Sequence, residues 1–171
     1  MNRLTATAIL LLSVSWLASC DKTSSTTSGA ATFTAVPATA TAVQSTDGLT
    51  YTIFGDATHD DKIITYPWKT SFAVTITETV GVGRNITSVS IRVQQASGGI
   101  VITPTGTDIE HYQYTSHAST NRIEAKGSAS VAFDVWYDLP NKGREALVTI
   151  TFGFLDDNNS SFSETTSVKV M

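Results

Sequence analysis

The chain has 171 residues, of which 15% are charged, and eleven Lys or Arg against fifteen Asp or Glu leave a net charge of −4. That length holds one domain with room for a tail, and a weakly acidic chain without a basic run is a poor partner for phosphate backbones, so no nucleic acid is expected. A single cysteine, Cys20, excludes an intramolecular disulfide and a four-cysteine zinc site.

The chain opens with Arg3 and then an apolar run over residues 4–17 that includes Ile9, Leu10, Leu11, Leu12 and Val14. The run falls short of the ~20 residues a membrane-spanning helix needs, and small residues follow it at once. Residues 1–19 therefore read as an export leader. Their junction with the rest, Leu17-Ala18-Ser19-Cys20, resembles the bacterial lipobox: an aliphatic residue, two small residues, then the cysteine that becomes residue one. The competing reading is an ordinary signal peptide with a chance cysteine. Membership in the lipoproteins implies a diacylglyceryl group on the Cys20 thiol, an acylated new amino terminus, palmitate-type chains and a place on the bacterial cell envelope. At about 0.8 kcal/mol per buried CH₂, more than one chain makes attachment effectively permanent. Asp21 resembles the inner-membrane retention signal of enterobacterial lipoproteins, a rule that not all phyla follow, so the choice of membrane stays open.

Residues 21–47 contain twelve Ser or Thr and six Ala, with Phe33 as the one aromatic. Such a stretch buries too little apolar area to offset its ordering entropy. Residues 20–47 are therefore expected to be a lipidated cysteine and flexible linker, reaching about 30 Å as a coil, with Phe33-Thr34-Ala35-Val36 as a possible short edge strand before Pro37.

From residue 48 the pattern becomes apolar-polar alternation with period two, broken by Gly, Pro, Asn and Asp, and no stretch keeps a helical period. The runs are 49–54, 71–78, 86–94, 99–103, 109–115, 129–139, 145–155 and 162–170. On one face of the second and third lie Phe72, Val74 and Ile76, then Val89, Ile91 and Val93. The last three long runs direct Val131, Phe133, Val135 and Tyr137 inward, then Val148, Ile150, Phe152 and Phe154, then Phe162, Val168 and Val170, with Glu164 and Thr166 interrupting. Ser130, Asp134, Thr149, Thr151, Ser167 and Lys169 face water. A one-residue slip would expose the phenylalanines, so register is strongly specified. The expected fold of residues 48–171 is all-β, two packed antiparallel sheets.

The segment Arg122-Ile123-Glu124-Ala125-Lys126-Gly127-Ser128, the alternating strand after it, the Pro-Asn-Lys-Gly turn and the next long strand resemble immunoglobulin-like domains of bacterial surface and adhesion-related proteins. The resemblance covers about the last fifty residues, more loosely the strands around Ile76 and Ile91. It implies a sandwich of seven to eight strands and carries over no catalytic residue; the cysteine pair of antibody domains is absent.

Motifs for chemistry are few. Gly81-Val82-Gly83 lacks the third glycine of a dinucleotide fingerprint and leads into a strand. His59, His111 and His117 have no metal-type spacing, and no Gly-x-Ser-x-Gly elbow is present. Asp156-Asp157-Asn158-Asn159 lacks the alternate spacing of a calcium loop and reads as a hairpin turn. Neither an enzyme nor a cofactor or metal is expected. The functional expectation is a membrane-anchored envelope lipoprotein whose sandwich is a non-catalytic binding or assembly module for an envelope protein or polysaccharide. If runs 71–78 and 86–94 are the second and third immunoglobulin strands, Arg84 and Asn85 lie beside Asp156, Asp157, Asn158 and Asn159, as candidate binding loops. The alternative is a carbohydrate-binding module displaying Tyr112, Tyr114 and Trp136 on an exposed aromatic face, against the plainer reading that other layers cover these rings.

Overall fold

Where the sequence alternates with period two, the chain forms long strands, because each then presents one apolar face to a facing sheet. The computed structural model describes residues 31–103 and 110–171. The leader, Cys20, the first ten linker residues and Ile109 lie outside the described residues. The strands are β1 (Ala31–Val36), β2 (Thr39–Ala40), β3 (Val43–Gln44), β4 (Thr50–Ile53), β5 (Lys62–Thr65), β6 (Trp68–Glu78), β7 (Arg84–Ser97), β8 (Ile100–Val101), β9 (His111–Ala118), β10 (Arg122–Ile123), β11 (Ser128–Asp138), β12 (Ala146–Asp156) and β13 (Ser161–Val170).

One sheet runs β1-β6-β11-β9, with β3 also on β6; the other runs β10-β7-β12-β13-β2, with β8 also on β7; among the described residues β4 and β5 pair only with each other. Its seven main strands thus follow the immunoglobulin order, β1, β6, β11 and β9 against β7, β12 and β13. All pair antiparallel, and β2 adds to β13 in parallel. This is the expected immunoglobulin-like sandwich.

Strand pairing starts earlier than composition suggested. Residues 31–47, read as linker, carry β1, β2 and β3, and Phe33-Thr34-Ala35-Val36 is part of an edge strand in register with Ile76-Thr75-Val74-Ala73. Two causes outweigh the Ser/Thr-rich composition. The free edge of β6 supplies backbone partners, and Phe33 stacks on Phe152 with ring centroids 5.7 Å apart. Between Val36 and Thr39 the chain passes from one sheet to the other through a cis Pro37.

The core lies between the sheets along an aromatic column: Phe72–Phe133 at 5.2 Å, Phe133–Phe152 at 6.3 Å, Phe152–Phe154 at 6.2 Å and Phe154–Phe162 at 5.4 Å. The inward residues expected on β11 and β12 are all buried, as are Val168 and Val170. At the open side of the sandwich Tyr112 and Tyr114 of β9 reach across the core. Their hydroxyls donate to the carbonyls of Ile91 and Val89 on β7, at 3.2 and 3.0 Å. These bonds occupy carbonyls on a stretch of β7 that lies between its short partners β10 and β8, and so blunt a free edge.

The two ends of the sandwich differ in kind. At one end β6 stops at Glu78, β7 starts at Arg84 in register with Asp156 at the end of β12, and β1 starts, because Ala31 pairs with Glu78. At the other end lie the start of β6, the end of β11, the turn after β7 and the β4–β5 hairpin. The hairpin docks through Tyr51, whose ring packs on Tyr66 (4.9 Å) and His111 (4.2 Å) and whose hydroxyl donates to Asp138 at 3.0 Å.

Candidate functional site

The turn between β6 and β7 is built around one carboxylate. Glu78 is buried, and its oxygens accept backbone N–H bonds from Val80 (2.6 Å), Gly81 (2.8 Å) and, across the loop before β11, Lys126 (2.8 Å). Burial opposes its ionisation, but the amides of Lys126, Gly81, Val80 and Val82 outweigh that cost and hold its pKa at about 2. The charge so fixed draws in Arg84, whose Nη2 lies 3.1 Å from Glu78 and whose guanidinium sits 5.5 and 5.2 Å from the rings of Phe154 and Phe162. Among the described residues Arg84 Nε and Nη1 have no hydrogen-bond partner; Nη1 stands 3.9 Å from Glu164, whose own carboxyl is pushed up by burial against the pull of Arg84.

The expected neighbourhood of Arg84, Asn85 and residues 156–159 is present: Arg84 pairs with Asp156, Asn85 with Leu155, and the Asp157 amide donates to the Gly83 carbonyl at 3.0 Å. Its availability for binding is corrected. Arg84 is 1% exposed and neutralises Glu78 in the interior, where either charge left unpaired would be costly. Asp156 accepts from the amides of Asn158 (2.9 Å) and Ser160 (2.8 Å) and shapes its own turn. Asp157 is held by Arg122 through two contacts of 2.6 and 2.8 Å, which lower its pKa. Gly83 lets this pair close over the chain: a Cβ there would lie 2.3 Å from Arg122 Nη2 and 2.6 Å from the Asp157 carboxylate. Asn85, Asn158 and Asn159 remain exposed, Asn159 in the left-handed region at φ 59°.

The aromatic face is also corrected. Tyr112 and Tyr114 point inward, in register with Tyr137 and Val135, whereas Trp136 points to the opposite side of the sheet and pairs with Gln113. Trp136 is only 6% exposed: its Nε1 donates to Asp47 at 2.9 Å and Lys69 lies 4.6 Å over its ring. Residues 43–47, read as linker, provide the cover.

What the outer face of the β1-β6-β11-β9 sheet does offer is an open cavity of ≈ 420 Å³ running across the strands. Its floor is Ala73 in register with Ala132, with Val36 on one side and His117 on the other. The next row is Ser71, Asp134 and Thr115, with Ser71 donating to Asp134 at 2.5 Å. Two alanines between larger neighbours make the depression, while hydroxyls, an imidazole and a carboxylate supply donors and acceptors along it. That arrangement suits an elongated polar ligand laid on the sheet. Sequence reasoning missed it because β6 and β11 are far apart in the chain, and only their register brings the alanines together.

The three histidines are separate: His59 sits 2.9 Å from Asp56 at the hairpin tip, His111 lies under Tyr51 and His117 lines the cavity. No protein-family model and no curated protein matches the chain.

Proposed function

We propose that this protein is a lipid-anchored module of the bacterial cell envelope that binds or assembles and does not catalyse. The observation that carries the reading is where its charged groups go. Glu78, Arg84, Arg122, Asp157, Asp47 and Asp138 are each engaged in fixing the scaffold, while the cavity they leave is an open trough on a sheet face. The Leu17-Ala18-Ser19-Cys20 box supplies the anchor. Ten residues separate Cys20 from β1, a reach of at most about 40 Å, and β1 starts at the Glu78 end, so the tether would join the domain at that end.

A second reading, carbohydrate binding, moves from the aromatic line to the trough, whose Asp134, Ser71, Thr115 and His117 match sugar hydroxyls. It predicts retention on a polysaccharide column that Asp134→Ala weakens. The primary reading is tested by metabolic labelling with an alkyne fatty acid: label in the wild type and none in Cys20→Ser supports it, and equal labelling of the two would sink it.

A further inference from the structure

The exposed large apolar side chains are unevenly placed. Among the described residues only Val80 lies at the Glu78 end, and Val36 sits midway along β6 opposite Ala73. Val43, Ile100, Ile102 and Met171 lie at the opposite end, where they flank Lys69, Ser97, Gln95 and Ala40. The β4–β5 hairpin at that end carries the most exposed group: Phe54 at 81%, Ile63 at 74% and Ile53 at 39%. Thr52 pairs with Ile63, so Ile63 lies on the side away from Tyr51, and Phe54 follows directly on Ile53, the last residue of β4. A two-stranded hairpin is marginally stable by itself. This one is clamped to the body on its Tyr51 side and leaves an apolar ridge on the other.

The size and charge of the ridge decide what covers it. Phe54 and Ile63 supply a few hundred Å² at most, well below the ~800 Å² per partner of a stable interface. Two copies packed hairpin on hairpin therefore fall short, whereas a narrow ridge entering a concave groove acts as a central anchor. The tip beside it bears Asp56, Asp60 and Asp61 against Lys62, which repels an anionic lipid surface. We infer that the β4–β5 hairpin is the element by which this protein engages another protein, with Phe54 and Ile63 entering an apolar groove rimmed by Lys or Arg. The inference rests on the anchoring proposed above only for the hairpin's place at the end opposite the tether.

The test places the photo-crosslinker p-benzoylphenylalanine at position 54 of the full chain in the cells that make it, with position 158 at the other end as control. The expected result is one discrete protein adduct from position 54, about tenfold stronger than from position 158. Its crosslinked peptide should map to apolar residues flanked by Lys or Arg. The adduct should fall about tenfold with Ile63→Asp and with Asp60→Lys plus Asp61→Lys, in variants whose circular dichroism is that of the wild type. An adduct of two copies of this chain, an adduct with lipid, no adduct, or an adduct indifferent to those substitutions would overturn it. Running Cys20→Ser in parallel separates the two claims: loss of fatty-acid label reports on anchoring, and the position-54 adduct from detergent-solubilised envelope reports on the hairpin.

Discussion

Replacing Glu78 by Gln changes one oxygen to an amide nitrogen and removes a charge, yet the structure ties it to two large consequences. Gln keeps one acceptor where Glu78 serves the amides of Val80, Gly81 and Lys126, so at least one N–H at the turn loses its bond. Arg84, 1% exposed and among the described residues already short of partners at Nε and Nη1, loses its nearest counter-charge and keeps as anionic partner the more distant Glu164 at 3.9 Å. Removing one member of a buried pair costs about 3–5 kcal/mol. The pH dependence gives an independent route to a similar figure. A carboxylate held from its ordinary 4.5 down to about 2 contributes about 3 kcal/mol of stability at neutral pH. Because its folded pKa is depressed, that contribution is present above the unfolded value and fades as the pH falls from about 5.5 to 2. Urea unfolding followed by circular dichroism, repeated across that window, reads both. Glu78→Gln should be less stable at pH 7 by about 3–5 kcal/mol, and the gap should close on acidification. A loss under about 1 kcal/mol, or a gap that stays constant to pH 3, would refute the account of this turn.

Core and surface positions one residue apart should separate. Phe152→Ala, at 0% exposure in the centre of the aromatic column, should cost about 3–5 kcal/mol in urea unfolding, and Thr151→Ala, on the outer face beside Thr165, under about 1. The double variant Tyr112→Phe plus Tyr114→Phe should lose about 1–3 kcal/mol, since each hydroxyl holds a carbonyl of the facing sheet; a neutral result would mean these bonds do not close the sandwich. Gly83→Ala should shift the melting temperature down and loosen the Arg122–Asp157 pair, visible as loss of the Arg122 guanidinium proton signals by NMR.

Legibility in the sequence followed the length of the alternating pattern. On β11 and β12 alternation runs through most of eleven residues, breaking only near the ends of the two strands, so the inward faces could be written down, though not the register shift at Gly153 and Phe154. β1 spans six residues inside a stretch whose average composition is that of a linker, and its partner is far along the chain, so only its Phe33–Val36 part could be offered, as an edge strand with no assigned partner. β5 and β10 are shorter still. For Arg84 a signal existed: Glu78 stands six residues before it across a glycine-containing turn, a spacing that brings opposite charges together if the turn closes. Whether the pair then faces water or the core depends on Phe154 and Phe162 from the other end of the chain. The aromatic line failed for a related reason. Parity placed Tyr112 and Tyr114 together, but only the pairing of β9 with β11 sets Trp136 on the other side.

The central claim is that the chain matures at Cys20 and is held by lipid. Intact mass spectrometry of the protein purified from membranes tests it most directly. The account predicts a chain beginning at Cys20 and heavier than its sequence by a diacylglyceryl group and one further acyl chain, all on the first residue. A membrane-purified chain of unmodified mass, or one that begins elsewhere, would contradict it.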